Sequence, residues 1–393
     1  MRLRRFAFAG ALAGGVAVIV TLMLAGPGAG AAVTPDRWRP TRHPSPTPTR
    51  PSPSPTPTPT SSGGLTKAKI LSTMASVDAY WIAHGTDQAS NNWLNAAFNT
   101  GHLAYVRTAG LTDTYSLQWA TNNHFALTND SRGEFFPDPF ASGDVYLDIQ
   151  AYHPDPNNLT ALRSRVADEV ASVQSGHTSY WNYVDALNQG APSLARLGVL
   201  DGNAADLSTM DTLFSYTRSH LLDTSTGLWW RDSNYVGTTT LWSRGNGWAA
   251  MAMAKVLDAL PAADPRRAQY QSVLVSMAAA LRNTQRSDGF WNVDLGDPND
   301  FPGPETSGTA FFTFALAWGV NHGVLPAATY RPVVERAWQG MVSKAVRADG
   351  LLGYVQGTGS KPSDHQPVGS TDTTAFGVGG FLLAGSQLAV LEG

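Results

Sequence analysis

Two short segments place a charged residue at the start of an otherwise apolar stretch. Asp185 stands in YWNYVDALNQGAPSLARLGVL, residues 180–200, and Arg244 stands in LWSRGNGWAAMAMAKVLDALP, residues 241–261. A carboxyl group among apolar and aromatic neighbours can keep its proton near neutral pH, as a general acid requires. A guanidinium at a helix N-terminus adds a planar, two-pronged clamp to the free backbone N–H groups there. These residue types indicate acid catalysis and carboxylate binding.

Aromatic residues and glycines surround both groups. In WSRGNGW, residues 242–248, the glycines allow a ligand to approach the backbone, and Trp242 and Trp248 offer flat faces to a sugar ring. We count Asn246 from the same turn, and Trp181 beside the aspartate, among the candidate substrate-binding residues. The alternative is structural, with the arginine paired to a nearby aspartate and the glycines serving tight packing.

A second aspartate occupies a similar place in the pattern. Asp138 precedes the helical pattern in RGEFFPDPFASGDVYLDIQAY, residues 132–152, much as Asp185 precedes its own. Carboxylates at equivalent positions on neighbouring hairpins can face each other across a barrel mouth, the arrangement that glycoside chemistry uses. For Asp185 the alternative is an acidic residue that stabilises only the helix N-terminus. Asp144 and Asp148 follow on the helix after Asp138, and we expect at least one of them to be solvated or capping.

Other motifs give weaker signals. NVDLGDPNDFPGPE, residues 292–305, lacks the spacing of a calcium loop, which favours solvated loop carboxylates at Asp294, Asp297, Asp300 and Glu305 over a metal site. The chain has no HExxH pair, no GxSxG elbow and no cysteine. The lack of cysteine excludes disulfides, thiolate metal sites and a cysteine nucleophile.

The apolar pattern around these residues predicts an all-α fold. Apolar residues recur at three- and four-residue spacing in about twelve segments, and alternating strand patterns are nearly absent. STGLWW, SDGFWN and ADGLLGY, around Gly227, Gly289 and Gly350, lie roughly sixty residues apart, each after one helix and before a loop that leads into the next. The second helix of each pair is apolar nearly all round and the first carries a charged face. Six inner–outer pairs predict an (α/α)6 barrel whose loops into the inner helices form the site.

The N-terminal residues predict export. Arginines, an apolar run and small residues follow one another in MRLRRFAFAGALAGGVAVIVTLMLAGPGAGAAV, which is typical of a signal peptide, here residues 1–32. An uncleaved anchor is the alternative. Residues 33–65 are rich in proline, threonine and serine and are expected to be a disordered linker to one domain, residues 66–393. We therefore expect a secreted or cell-surface protein.

The charge of that domain argues against nucleic acid as a partner. The first 62 residues contain seven arginines and one aspartate, so the formal net charge of −3 for the whole chain leaves about −9 for the remainder. Binding to phosphates needs a basic stripe, and the sequence has none there.

The segments WSRGNGW, VDAL and PETSGTA together resemble the unsaturated glycuronyl hydrolases, glycoside hydrolase families 88 and 105, over about residues 66–393. The resemblance implies a six-hairpin barrel that removes the Δ4,5-unsaturated uronic acid which a lyase leaves at the non-reducing end of an oligosaccharide. It implies that Asp185 is the proton donor and later the base, and that Asp138 is the supporting carboxylate. The unsaturated sugar would be held by Trp242, Arg244 and Trp248.

The chemistry implied by the resemblance is hydration of an enol ether. The acid protonates C4 and water adds at C5, giving a hemiketal that opens and expels the remaining sugar. No metal or organic cofactor and no protein partner is implied, and the ligand is the unsaturated oligosaccharide.

The sequence departs from the family pattern near the proposed acid. GLWWRDSNYVG offers Arg231 in a loop where many relatives have a histidine, and Arg231 could take over an anion contact. Asn188 and Gln189 replace bulky apolar residues of relatives. The alternative for Arg231 is a subsite that recognises a different group. The change at Asn188 and Gln189 weakens the desolvation of Asp185 and leaves the leaving-group sugar open.

Two alternatives follow from the same residues. Another (α/α)6 glycosidase or lyase on acidic polysaccharide would use catalytic groups other than Asp185, Asp138 and Arg244 and would act on saturated chains. A non-catalytic sugar-binding relative would bind through its tryptophans and be indifferent to Asp185→Asn.

Overall fold

Twelve helices and one short two-stranded sheet occur in the described residues, 64–128, 133 and 135–393, of this computed structural model. The predicted signal peptide and residues 33–63 of the predicted linker lie outside these residues. The strands β1 (Leu222–Asp223) and β2 (Leu228–Trp229) pair antiparallel. The helices are α1 (Lys67–His84), α2 (Trp93–Ala109), α3 (Tyr115–Asn122), α4 (Phe140–Tyr152), α5 (Thr160–Gln174), α6 (Ala186–Leu200), α7 (Ala204–Leu221), α8 (Ser243–Ala259), α9 (Arg267–Thr284), α10 (Thr306–Asn321), α11 (Ala327–Lys344) and α12 (Ala375–Leu391).

The even-numbered helices form a closed inner ring. Each packs on the next from α2 to α12, and α12 packs on α2. These helices are buried nearly all round, as in α8, where residues 243–254 are all buried. The odd-numbered helices lie outside the ring and expose one face. The (α/α)6 barrel predicted from the sequence is therefore confirmed.

The inner helices bring their N-termini to one rim. Every inner helix follows an outer helix that runs back along the barrel, so all six inner helices point the same way. Side chains cap backbone N–H groups in the first turns of several of these helices. Glu305, for example, accepts hydrogen bonds from the backbone N–H groups of Ser307 and Gly308. The candidate residues Asp138, Asp185 and Arg244 lie at this rim.

The repeated glycines make the turns that enter the loops. Gly227, Gly289 and Gly350 have φ angles of 77°, 91° and 93°, in the region that favours glycine. Each also lies against an outer helix, where a Cβ atom would meet Ser276, Arg336 or Ser76 respectively. Both the backbone conformation and the packing therefore require glycine at each repeat.

We expect Gly289→Ala to lower the free energy of unfolding by about 2 to 5 kcal/mol, the sum of a left-handed backbone penalty and an overpacking penalty. Gly237→Ala is the matched control, because Gly237 has a φ of 80° but open space around its Cβ position. That variant should lose only the backbone part, about 1 to 2 kcal/mol. Chemical denaturation of both variants measures the difference, and equal losses would contradict the packing argument.

A buried ionic cluster joins four inner helices away from the rim. Arg196 binds Asp144 Oδ1 at 2.6 Å and Asp148 Oδ1 at 2.7 Å, Lys255 Nζ lies 3.0 Å from Asp144 Oδ2, and Arg107 lies 3.1 Å from Asp148. Burial by itself raises the pKa of Asp144, but Lys255 and Arg196 bring it down to about 2. The expectation that one of the two aspartates is solvated or capping is wrong, because basic residues on α2, α6 and α8 pair with both.

Within residues 64–128, 133 and 135–393, none of the helices combines the length and apolar character that crossing a bilayer requires.

Candidate active site

Asp185 is the N-cap residue of α6 and faces the rim. About 18% of its side chain is exposed, and its Oδ2 lies 3.9 Å from Nε of Arg231. The first turn of α8 comes close because residue 245 is glycine, and a Cβ atom there would lie 3.7 Å from Asp185 Oδ1 and 2.9 Å from Val184. The glycine of the WSRGNGW segment thus lets the helix that carries Arg244 approach the carboxyl group.

The surroundings of Asp185 favour its protonated form. Burial raises the pKa of this carboxyl, Arg231 and Arg244 oppose the rise, and the charges of Asp138 and Asp232 add to it. The balance is a raised pKa. A carboxyl group that holds its proton above the usual range can act as a general acid.

Asp138 lies two residues before α4 and is tied to the segment that carries Asp185. Tyr183 donates its hydroxyl hydrogen to Asp138 Oδ1 at 2.8 Å, and Asp138 is only 6% exposed. The Tyr183 ring stacks on Phe136 with 4.7 Å between centroids. The two aspartates therefore belong to one connected group, in which the charge of Asp138 acts on the pKa of Asp185.

Arg231 lies beside Asp185 in the loop after β2. Its Nη1 donates to Asp232 Oδ2 at 2.6 Å, and its guanidinium lies 5.6 Å from the ring centroid of Tyr183. The backbone of this loop is joined to the Asp185 segment, because Val184 N donates to the carbonyl of Arg231 at 2.8 Å. Arg231 is thereby fixed beside the proposed acid with about 20% of its side chain exposed.

Arg244 is a buried cation in the first turn of α8. Its guanidinium lies 4.3 Å from the ring centroid of Trp242 and 5.2 Å from that of Phe376, and its Nη1 donates to Gln356. No carboxylate among the described residues lies within ion-pair distance of it, so the alternative of an Arg–Asp pair is not observed. Burial lowers the pKa of Arg244 to about 10, while Glu305 and Asp185 partly oppose the decrease. A buried cation without a paired carboxylate is suited to an anionic ligand.

Four of the candidate substrate-binding residues are buried and make packing contacts. Trp242 and Trp248 are each 2% exposed: Trp242 supports Arg244, and Trp248 packs against Phe311 at 4.2 Å between centroids. Asn246 and Trp181 are fully buried, at 0% exposed. The Asn246 side chain bonds the backbone of residue 229, and Trp181 packs where a Cβ on residue 190 would be. Contact of these four side chains with substrate stays a prediction. In this structure they are packed in the interior, where they support the residues of the site.

Several site residues had no role predicted from the sequence, among them Trp93 and Gln356. Trp93 begins α2, is half-buried, and stacks on Phe376 with 5.7 Å between centroids, edge-on to Trp248 at 6.2 Å. Gln356 lies between α11 and α12 and bonds both Trp242 and Arg244. Trp93 had a usable signal, a tryptophan at the first residue of an inner helix. Gln356 had none, because its position depends on a long loop.

The expectation of solvated acids in residues 292–305 is wrong at two positions. Glu305 is 0% exposed and caps α10 by accepting from the backbone of residues 307 and 308. Asp294 is 2% exposed and accepts from the backbone N–H groups of Leu241 and Gly296. Backbone N–H groups of the first turn of α10 satisfy Glu305 and those of loop residues satisfy Asp294, and this cannot be read from the spacing of the acids. The described residues hold no group of three or more acidic or histidine side chains arranged for a metal ion.

A cavity of about 300 Å³ opens beside Arg231. It is lined by amide, hydroxyl, aromatic and charged groups suited to sugar hydroxyls: Phe136, Asn182, Tyr183, Arg231, Asp232, Ser233 and Asn234. Arg231 lines this cavity and lies 3.9 Å from Asp185, so it connects the cavity to the proposed proton donor.

The chain matches one family model over nearly all of its helical part. Residues 67–391 match the family described as Glycosyl Hydrolase Family 88. A curated relative from Alteromonas sp. (strain LOR), an unsaturated 3S-rhamnoglycuronyl hydrolase, is 34% identical over 216 residues. That match covers 53% of this chain and 51% of the relative, so it spans about half of the relative's length.

Solved structures match over a larger share of their length. A glycosyl hydrolase family 88 protein from Bacteroides vulgatus is 31% identical with a TM-score of 0.78, over 83% of this chain and 99% of that chain. A protein named as a polysaccharide lyase is also 31% identical, with a TM-score of 0.77 over 83% of this chain and 98% of that chain.

Proposed function

This chain belongs to glycosyl hydrolase family 88, and from that premise we propose that it removes a Δ4,5-unsaturated uronic acid from the non-reducing end of lyase-generated oligosaccharides. The likeness to a curated unsaturated 3S-rhamnoglycuronyl hydrolase makes rhamnose the first leaving sugar to test. The observation that carries the proposal is a carboxyl group of raised pKa, Asp185, close to a buried cation without a paired carboxylate, Arg244.

Each group has a role in binding or proton transfer. Arg244 binds the carboxylate of the unsaturated sugar through the planar guanidinium that Trp242 supports. Burial is the main cause of the raised pKa of Asp185, and the charge of Asp138 adds to it; Asp138 also accepts a hydrogen bond from Tyr183. Arg231 opposes the rise of that pKa, since its positive charge favours the ionised carboxylate.

The reaction consists of one hydration followed by ring opening. Asp185 gives its proton to C4 as the C4–C5 double bond breaks, leaving an oxocarbenium ion shared by C5 and the ring oxygen. Water adds to C5 and returns a proton to the Asp185 carboxylate. The resulting hemiketal opens at the bond between C5 and the ring oxygen, and C1 then releases the leaving sugar and becomes an aldehyde. One water is consumed and Asp185 is regenerated.

The leaving sugar occupies the 300 Å³ cavity beside Arg231. Its hydroxyl groups meet the side chains of Asn182, Ser233 and Asn234, and Phe136 supplies an apolar face. Arg231 therefore contributes both to the electrostatics of Asp185 and to the choice of leaving group.

The decisive experiment follows the ultraviolet absorbance of the conjugated uronate during incubation with the full-length protein. Unsaturated disaccharides with different leaving sugars, the rhamnose compound first, form the panel. Loss of absorbance on one disaccharide, with release of its leaving sugar, supports the proposal. Constant absorbance across the panel, from a protein whose circular dichroism shows a helical fold, would remove it.

A lyase is the second candidate, because one structure of 31% identity is named as a polysaccharide lyase. The same assay separates the two functions by the direction in which the ultraviolet absorbance changes. A lyase creates the conjugated double bond and raises the absorbance of a saturated uronate polymer, whereas the proposed hydrolase lowers the absorbance of an unsaturated one.

The activity is expected to decline as the pH rises. A general acid works in its protonated form, and the raised pKa of Asp185 keeps that form present above the usual carboxyl range. Removing the opposing charge of Arg231 raises this pKa further, so Arg231→Met should move the alkaline limb of the kcat profile to higher pH. Profiles of kcat against pH for both proteins measure the shift, and a limb that moves to lower pH would contradict the assigned acid.

We also propose that the enzyme acts outside the cytoplasm. The proposal rests on the signal-like pattern of residues 1–32 and the proline-rich residues 33–65. N-terminal sequencing of protein from the culture medium and from the cell surface tests it, and recovery of the protein solely from the cytoplasm would overturn it.

A further inference from the structure

Gln356 connects the proposed carboxylate-binding arginine to the loop between α11 and α12. Its side chain is fully buried, and its Nε2 donates to the carbonyl oxygens of Pro362 at 2.9 Å and Asp364 at 2.8 Å. Both amide hydrogens are committed to these carbonyls, so the amide orientation is fixed. Oε1 must then point away from the loop.

That oxygen points to the start of α8. It accepts from Nε1 of Trp242 at 2.9 Å and from Nη1 of Arg244 at 3.3 Å, while the backbone carbonyl of Gln356 accepts from the same Nη1 at 3.0 Å. Two acceptors of one residue therefore hold one nitrogen of Arg244. Among the described residues, the other two guanidinium nitrogens of Arg244 have no hydrogen-bond partner, so they are available for a carboxylate.

A buried carboxylate fixes the backbone of Gln356 in turn. Gln356 N donates to Glu305 Oε1 at 3.2 Å, and the same carboxylate accepts from the backbone of Ser307 and Gly308. These donors compensate the charge of Glu305 without Arg244. The arginine thus feels an attractive charge, which opposes the lowering of its pKa by burial, yet forms no ion pair that a substrate would have to displace.

Building on the proposed function, we propose that Gln356 is the positioning residue of Arg244. It orients the guanidinium for a substrate carboxylate while leaving the positive charge unpaired. Glutamine suits the position because it accepts from the arginine and the indole and at the same time donates to two carbonyl groups. A glutamate would lose both donations and would pair with the arginine.

The test is a double-mutant cycle on binding in an Asp185→Asn background, where slow turnover does not disturb the measurement. The dissociation constant of unsaturated uronyl-rhamnose is measured by calorimetry for this parent, with Gln356→Ala, with Arg244→Met and with both. We expect Gln356→Ala to weaken binding roughly tenfold and Arg244→Met roughly 100-fold. The double change should be no weaker than Arg244→Met, since Gln356 acts through the arginine. Independent, multiplying effects would overturn the proposal.

Two further variants separate positioning from loop stability. Gln366 donates to the same Pro362 carbonyl but does not bond Arg244, so Gln366→Ala should leave the dissociation constant within about twofold of the parent. Gln356→Glu keeps the size of the side chain if the alanine variant fails to fold. Its dissociation constant relative to the parent should rise with pH as the new carboxyl ionises and pairs with Arg244. A ratio that does not change with pH would count against the proposal.

The cycle can fail independently of the proposed function. Coupled binding without hydrolysis by the wild-type protein would retain the role of Gln356 and remove the hydrolase. Hydrolysis by the wild-type protein, with independent effects of the two substitutions on binding, would retain the hydrolase and remove the role of Gln356. Absence of binding by the Asp185→Asn parent would overturn the role of Gln356 whatever the activity.

Discussion

Asp185→Asn is expected to lower kcat by roughly 10²- to 10⁴-fold on an unsaturated disaccharide, the usual contribution of a general acid. Asparagine has nearly the same size and can still donate to a substrate oxygen, but it cannot transfer a proton to carbon. KM should change little, because the carboxylate of the substrate is assigned to Arg244 and not to Asp185. Initial rates from the ultraviolet assay, over a range of substrate concentrations, give both constants.

Stability should not fall with activity in this variant. The folded pKa of Asp185 lies above its ordinary value, so the group favours the folded state at low pH and loses that effect as the pH rises through the folded pKa. Wherever Asp185 is ionised, it is therefore a cost to the fold, and a neutral asparagine removes that cost. Thermal unfolding at pH 7 should give a midpoint no lower than that of the wild type.

Asp201→Asn is the matched control on the same helix. Asp185 precedes α6 and Asp201 follows it, where it pairs with Arg163 at 2.7 Å on the surface. Losing a surface ion pair costs at most about 1 kcal/mol and leaves the rim untouched. Near-normal kcat in Asp185→Asn, or an equal loss in Asp201→Asn, would remove Asp185 from the mechanism.

The barrel was predictable because local and global signals agree in its helices. The inner helices are apolar on every side, a pattern that suits burial in a ring, and the predicted number of about twelve helices agrees with the structure. Gly227, Gly289 and Gly350 recur because the same turn is built three times against an outer helix. Repetition therefore made the number and order of helices readable without any tertiary information.

The site was only partly predictable because several of its residues depend on tertiary contacts. Asp185, Asp138 and Arg244 were predicted because each stands at the start of a helical pattern, and the structure places all three at one rim. Nothing in the sequence indicates that Glu305 is buried by backbone donors or that Gln356 reaches α8 from a distant loop. The tryptophans were ambiguous for a related reason: an aromatic ring at a helix start can face a ligand or support the residue that does.

Arg244→Met is expected to raise KM for an unsaturated uronide by roughly 30- to 1,000-fold, because losing one partner of a desolvated charged contact costs about 2 to 4 kcal/mol. Methionine can occupy the flat space between Trp242 and Phe376, so the packing around the site is largely retained. The change to kcat should be smaller, since the carboxylate is bound in the ground state and in the transition state alike. Steady-state kinetics at a fixed pH measure both constants.

The methyl ester of the same unsaturated sugar tests whether the effect comes from charge. The ester keeps the enol ether and the ring but carries no negative charge, so it gains little from Arg244 in the wild-type enzyme. Arg244→Met should therefore change its kcat/KM far less than that of the free acid, and the preference of the enzyme for acid over ester should collapse. Arg196→Met, in the ionic cluster away from the rim, should lower thermal stability and yet retain the preference, because Arg196 pairs with Asp144 and Asp148 and not with substrate. An acid-over-ester preference that survives Arg244→Met would place the carboxylate-binding group elsewhere on the rim.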